Sequence, residues 1–290
     1  MNNEQQNISA KIIESPRDGW QAVKTFIPTK TKAEYINKLL EIGFHTIEIG
    51  SFVSPKAIPQ LADTEALISM LDFSKSKSEI MVLTGNKKGI DKAALFEEIN
   101  SISFPFSISP EFLKRNLNIS SLEAEELVKY LIEVCNKNKK TPAVYIAMAF
   151  GNPYGDSWSL DLLSEIVGKL VSFGLSSLSL TDILGTADSK RISEVYGRLS
   201  NDFPQIEFGL HLHTKKSDFE EKIKAAWEKG CKKFDSVLGG AGGCPMTGKE
   251  LTGNLNSKDL IEFLKKQNSL PNNFLIESLN SITNPALAVK

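Results

Sequence analysis

Eight short, mostly apolar segments of strand character alternate with helical segments over about 260 residues of this 290-residue chain. This alternation is the strongest constraint on the fold, because parallel strands need a long crossover between them and a helix is the usual one. The strands are expected at Lys11–Glu14, His45–Ile49, Glu79–Leu83, Ser101–Phe106, Ala143–Met148, Leu178–Thr181, Ile206–Leu210 and Lys233–Leu238. Helical spacing of apolar residues predicts helices at about 31–42, 64–71, 88–96, 121–137, 159–173, 189–199 and 218–229, with a last one starting near Ser257. The strands read as buried on both faces. Their count and length are those of an α/β TIM (β/α)8 barrel. A doubly wound open sheet is the alternative; it needs no eight repeats, and no Gly-x-Gly-x-x-Gly follows the first strand. The barrel is expected to span residues 10–270. A polar arm (1–9) precedes it, and a tail (271–290) with a short helix and a disordered end follows.

Composition narrows the function more than the fold. A net charge of −1 gives no electrostatic reason to expect nucleic acid or an anionic membrane as partner. No apolar run approaches the ~18 residues of a membrane span. The N-terminus has no basic-then-apolar signal pattern. Three widely spaced cysteines, Cys135, Cys231 and Cys244, argue against a disulfide framework, so a cytoplasmic location is the expectation.

In such a barrel the reactive groups lie at the C-terminal ends of the strands. The seventh strand ends in Leu210-His211-Leu212-His213-Thr214, which holds two of the three histidines. Residues two apart on a strand share a face, so His211 and His213 would present their imidazoles side by side. The other strand exits supply Arg17 and Asp18, Glu48 and Ser51, Asn86, and Asp182, with Asn254 beyond the eighth strand. Taken singly, a polar residue after a strand is more often a turn former or cap than a ligand. Taken together, two imidazoles, one or two carboxylates and an amide suit Mg²⁺, Mn²⁺ or Zn²⁺ with positions open for substrate.

The run Gly239-Gly240-Ala241-Gly242-Gly243 leads into Cys244 and Pro245. It reads either as a phosphate cradle or as a mobile lid carrying Cys244; it lacks the Lys-Ser/Thr ending of a P-loop, which favours the lid. A buried structural thiol is the plain alternative for Cys244. Cys135, Cys231, Trp20, Trp158 and Trp227 read as packing residues, and His45 lies at the stability face of the barrel.

These residues carry a resemblance. Ser15-Pro-Arg-Asp-Gly-Trp-Gln21 resembles the opening motif of the 3-hydroxy-3-methylglutaryl-CoA lyases. Glu48-Ile-Gly-Ser-Phe-Val-Ser-Pro-Lys-Ala-Ile-Pro-Gln60 is similar to their second-strand motif. Leu83–Asn86, Asn152–Gly155, Ser179–Asp182, the histidine pair, Gly242–Pro245 and Gly253–Leu255 follow in the family's order. The resemblance implies a metal-dependent carbon–carbon lyase acting on an acyl-CoA, with Mg²⁺ or Mn²⁺ held by Asp18, His211, His213 and Asn254. It implies Arg17 beside the thioester carbonyl and Cys244 as proton donor, supported by Glu48 and Asp182, with Gln21, Ser51 and Asn86 toward the substrate. It also implies a homodimer. The rival readings are a lyase for another branched 3-hydroxyacyl-CoA, a related condensing enzyme, and a non-catalytic metal-binding barrel. Two departures stand out. Thr214-Lys215-Lys216 follows the second histidine where the lyases usually have Asp and Thr, and Asn152 stands where a cysteine is common. The first removes a carboxylate that could support the metal.

Overall fold

In the computed structural model, which describes residues 9–74, 76–243 and 252–288, eight parallel strands close on themselves in sequence order. They are β1 (Lys11–Glu14), β2 (Thr46–Ser51), β3 (Glu79–Leu83), β4 (Ser101–Ser107), β5 (Thr141–Ala147), β6 (Ser177–Asp182), β7 (Glu207–Leu212) and β8 (Lys233–Ser236). The pairing of Lys11–Glu14 with Lys233–Ser236 shuts the barrel. Eleven helices are found among the described residues: α1 (Pro16–Gln21), α2 (Thr29–Leu40), α3 (Thr64–Ile68), α4 (Lys87–Ala94), α5 (Pro110–Leu117), α6 (Ser121–Lys137), α7 (Leu160–Ser172), α8 (Ser189–Asp202), α9 (Phe219–Trp227), α10 (Ser257–Lys266) and α11 (Ile276–Asn280). No helix among the described residues is long and apolar enough to cross a membrane.

Local chemistry explains the helix starts. The side chains of Asn86, Ser109, Ser159 and Asp188 each accept a backbone N–H in the first turn of the helix they precede. At Ser120, Glu123 returns a second bond and completes a capping box. Two helices differ from the sequence expectation. The first helix is expected only from about residue 31, yet Pro16 already opens α1, where its fixed φ and missing N–H cost nothing. Ser109 and Pro110 open α5 in the same way, and Asn118 closes it in the left-handed conformation at φ 56°. Strand β7 also runs further than expected, through His211 to Leu212.

The main core fills the layer between barrel and helices, with Ile12, Phe104, Leu180 and Leu210 of the strands among its members. A small second cluster of Ile13, Met81 and Tyr145 lies apart from it. Alternation along β1 therefore sends Ile12 and Glu14 to one face and Ile13 to the other. The chain past Pro271 has the expected short helix, α11, and beyond it Ile282 and Asn284 are buried. Asn284 is fully buried; its Oδ1 accepts from Trp20 Nε1 at 3.0 Å and its Nδ2 donates to Leu238 O at 3.1 Å. A buried amide so well paired fixes the segment against α1. Cys135 and Cys231 are buried, as packing residues should be, and burial pushes both thiols up to about 12.

Glu14 is an unusual tenant of this layer. Burial raises its carboxyl from 4.5 to about 7, although hydrogen bonds from Ser257 and Leu238 pull the other way. The folded state thus holds a proton that the unfolded chain releases at lower pH. The stability contributed by the protonated form is complete below 4.5 and is lost as pH rises through about 7. The full interval corresponds to about 3 kcal/mol. Glu14→Gln cannot ionise, so its stability relative to the parent should rise by up to about that amount between pH 4 and pH 8 in urea unfolding. A pH-independent difference between the two proteins would show that Glu14 keeps an ordinary pKa.

Candidate active site

Helix α1 has only six residues, yet it places Arg17, Asp18 and Gln21 at the C-terminal mouth of the barrel. Arg17 and Gln21 are one helical turn apart and therefore neighbours. Arg17 Nη1 donates to Gln21 Oε1 at 3.0 Å and to Asp18 Oδ1 at 3.2 Å. Its Nε and Nη2 both donate to Glu48 Oε2, at 2.9 and 2.7 Å. Gln21 Nε2 donates to the same Asp18 Oδ1. Burial disfavours the charge on Arg17, but Glu48 and Asp18 more than compensate and raise its pKa. For Glu48 burial wins, and its pKa stays raised despite Arg17. Ser103 Oγ donates to the other Glu48 oxygen at 3.2 Å.

Strand β7 brings the imidazoles to Asp18. His211 Nε2 lies 3.6 Å and His213 Nε2 4.0 Å from Asp18 Oδ2. The inner Nδ1 atoms are both taken. His211 pairs in register with Asp235 of β8, and its Nδ1 donates to Asp235 Oδ2 at 2.9 Å. His213, one residue past the strand, donates from Nδ1 to Thr252 O at 2.8 Å. Carboxylates and carbonyls only accept, so these partners fix the proton on Nδ1 and leave each Nε2 lone pair facing Asp18. Burial works against protonating His211, but Asp235 and then Asp18 overcome it and raise its pKa. Burial prevails at His213 and lowers its pKa. Burial would raise the carboxyl of Asp18, yet Arg17, His211 and His213 hold it below the ordinary value.

Asp18 Oδ2 is buried and, among the described residues, has no hydrogen-bond partner. A buried carboxylate oxygen left unpaired is costly unless something else meets it. Here the ligand atoms of Asp18, His211 and His213 all lie within 4.8 Å of one another. A buried oxygen with two imidazole nitrogens turned toward it fits a divalent cation. The cavity beside them has a volume of about 580 Å³ and is lined by Arg17, Asp18, Gln21, Asn86, Tyr145 and both histidines, and by Arg115–Asn118 at the end of α5.

The remaining residues expected at the site are placed as follows. Asn254 forms a β-bridge with His213 and donates from Nδ2 to Ala241 O at 2.9 Å. Asn86 lines the cavity while its Oδ1 caps α4 through Gly89 N at 2.9 Å. Ser51 is buried at the end of β2 with its Oγ unpartnered. Asp182 gives its carboxylate to the following loop, accepting from Ala187 N at 2.9 Å, and its carbonyl accepts from His213 N at 3.1 Å. Cys244 lies outside the described residues. The glycine run before it is described, and it packs on α1. A Cβ at Gly242, where φ is +95°, would come within 2.6 Å of Asp18 O. Asp235, Tyr145 and the end of α5 were not singled out from the sequence. Asp235 did leave a signal, an acid between apolar neighbours in a buried strand.

Residues 10–284 match the family model described as HMGL-like. The chain belongs to the HMGL-like family. It is 31% identical over 266 residues to hydroxymethylglutaryl-CoA lyase YngG of Bacillus subtilis (strain 168), covering 92% of this chain and 88% of that protein. It is 32% identical over 261 residues to the cytoplasmic 3-hydroxy-3-methylglutaryl-CoA lyase of Homo sapiens, covering 88% of this chain and 68% of that one. Among solved structures, an HMG-CoA lyase from Acinetobacter baumannii in complex with coenzyme A and 3-methylmalate superposes with a TM-score of 0.87 at 27% identity, covering 99% of this chain and 92% of that chain. The HMG-CoA lyase of Brucella melitensis gives 0.88 at 27% identity, covering 97% and 98%.

One departure from the family pattern now has a structural answer. Thr214 brings no carboxylate, but His213 takes its support from the backbone carbonyl of Thr252. The carboxylate that orients an imidazole here is Asp235, on His211. Partners of this kind commonly contribute 10–100-fold to metal affinity. Asp235→Asn should therefore weaken Mn²⁺ binding by about tenfold in isothermal titration calorimetry. Unaltered affinity would show that His211 needs no such orientation.

Proposed function

We propose that this chain is a hydroxymethylglutaryl-CoA lyase, which cleaves 3-hydroxy-3-methylglutaryl-CoA to acetoacetate and acetyl-CoA with Mg²⁺ or Mn²⁺. The observation that carries this reading is the convergence of buried Asp18, His211 and His213 beside Arg17 on the wall of one cavity. The lyases among its relatives, and the structural neighbour with coenzyme A bound, support an acyl-CoA as substrate.

Asp18, His211 and His213 would hold the cation, with Asn254 beside them. When bound, such an ion supplies Lewis-acid polarisation of the substrate's hydroxyl and carboxylate oxygens. The protein's own groups do the rest. The bond between C2 and C3 breaks, its electron pair stays on C2 as a thioester enolate, and the C3 carbon becomes the ketone of acetoacetate. Asp18 and His211 are the two candidates to receive the hydroxyl proton, and each is a weaker base while it holds the cation. Arg17 stabilises the oxyanion that develops on the thioester, and Glu48 locks the guanidinium from behind so that no reorientation is needed. Cys244 gives its proton to C2, which yields acetyl-CoA; this role follows from the family motif Gly242-Gly-Cys-Pro245. Gln21 and Asn86 line the cavity and would contact the acyl group, with Ser51 and Asp182 supporting from outside it. A homodimer and a cytoplasmic location belong to the same reading. The free, buried state of Cys135 and Cys231 agrees with a reducing compartment.

Incubation with 3-hydroxy-3-methylglutaryl-CoA and Mg²⁺ or Mn²⁺ should release acetoacetate. Absence of product with either metal would overturn the reading. Cys244→Ala should bind Mn²⁺ as the parent does and lose about 100-fold or more in kcat. Retained turnover in that variant would remove Cys244 from the mechanism. Arg17→Met should cost about 100- to 1,000-fold in kcat, as loss of an oxyanion donor does; a change confined to KM would assign Arg17 to binding alone.

A further inference from the structure

Glu14 is a buried acid that the mechanism does not use. Its carboxylate lies outside the barrel and joins three parts of the chain. Oε1 accepts from Leu238 N at 2.8 Å, and Oε2 accepts from Ser257 Oγ. Leu238 begins the turn after β8, and Ser257 is the first residue of α10. The same two stretches are zipped to each other. Val237 N donates to Leu255 O at 2.9 Å, Ser257 N to Val237 O at 3.3 Å, and Gly239 N to Asn256 Oδ1 at 3.0 Å. Inside this closure, Asn254 donates to Ala241 O and forms a β-bridge with the metal-site residue His213. Glu14 itself stands four residues before Asp18, at the end of β1.

We propose that Glu14 is a positioning residue, whose carboxyl group clasps Leu238 and Ser257 and so sets Asn254 beside His213 at the candidate cation site. The clasp works by leverage. Leu238 lies three residues before Ala241, and Ser257 three residues after Asn254. Fixing both to the root of α1 leaves the short spans between them little freedom relative to Asp18. Tight contacts make this placement sensitive. A Cβ at Gly19 would lie 2.8 Å from Val237 Cγ1, and one at Gly253 would lie 2.4 Å from Gly240 O. A relaxed clasp would therefore displace Asn254 rather than be absorbed by slack. Burial of a carboxylate with its hydrogen bonds on backbone and hydroxyl donors is costly to maintain in a layer of apolar side chains, and a purely packing role would be filled better by an apolar residue.

The proposal rests on Asp18, His211, His213 and Asn254 as the cation site, and its test is Mn²⁺ affinity measured by calorimetry, with acetoacetate release followed separately. Ser257→Ala and Glu14→Ala should each weaken Mn²⁺ binding by about tenfold. Glu14→Gln can still accept from Leu238 N and donate to Ser257 Oγ, so it should stay within about twofold of the parent. In an Asn254→Ala background, Ser257→Ala should cost no more than about a further twofold, because the clasp acts through Asn254. Should Glu14→Ala fail to fold, Ser257→Ala alone decides. Parent-like affinity in Ser257→Ala, or the full loss persisting without Asn254, would overturn the clasp. A parent that binds no Mn²⁺ would overturn both the clasp and the lyase reading. A parent that makes no acetoacetate but shows this pattern of affinities would support the clasp and reject the lyase.

Discussion

The grip of Glu48 on Arg17 is the interaction from which the site is built. A guanidinium that is 7% exposed is expensive to bury, and it is tolerated because four hydrogen bonds to side chains surround it. Glu48 takes two of them on one oxygen, which orients the guanidinium so that its remaining nitrogen faces Asp18 and Gln21. That in turn holds Asp18 Oδ1 and turns Oδ2 toward the histidines. Counting Asp235 behind His211, one guanidinium faces three buried carboxylates, a formal charge of −2 with neutral imidazoles. A low-dielectric pocket with that surplus attracts a compact divalent cation by simple electrostatics, before any preference of the ligand atoms is considered.

The two imidazoles illustrate how neighbouring positions on one strand acquire different properties. His211 rests on a carboxylate and His213 on a peptide carbonyl. Their pKa values accordingly move in opposite directions. An imidazole backed by a carboxylate is the more basic ligand, and one backed by a carbonyl is the more easily kept neutral. Thr214, the residue after His213, is the Nδ1 partner of neither ring.

Much of this was legible in the sequence, for reasons that differ by element. Strands such as Lys11–Glu14 and Glu79–Leu83 were read with their observed bounds, since strands covered on both faces are short apolar runs between polar loops. The helix α1 escaped because six residues are too few to show a 3.6-residue period. Helix α5 escaped although Ser109, Pro110 and Asn118 mark its ends. Asp18, His211 and His213 were legible as candidates because polar groups at strand ends stand out against apolar strands. Asp235 was not, because its meaning depends on register. Only when β7 and β8 pair does Asp235 fall beside His211, 24 residues away. The clasp of Glu14 on Ser257 spans 243 residues and leaves no local trace at all.

Asn284 carries a consequence for how the molecule comes into being. The amide that secures Trp20 of α1 and the carbonyl of Leu238 is made 264 residues after that tryptophan. A ribosome synthesises the chain from its N-terminus. Arg17 and Asp18 therefore leave it long before their final brace exists. Until then the nascent protein holds these charged residues without the strands, the helix and the amide that offset their burial. Completion of the pocket therefore waits for Asn284, which is made after the strand Lys233–Ser236 that closes the barrel.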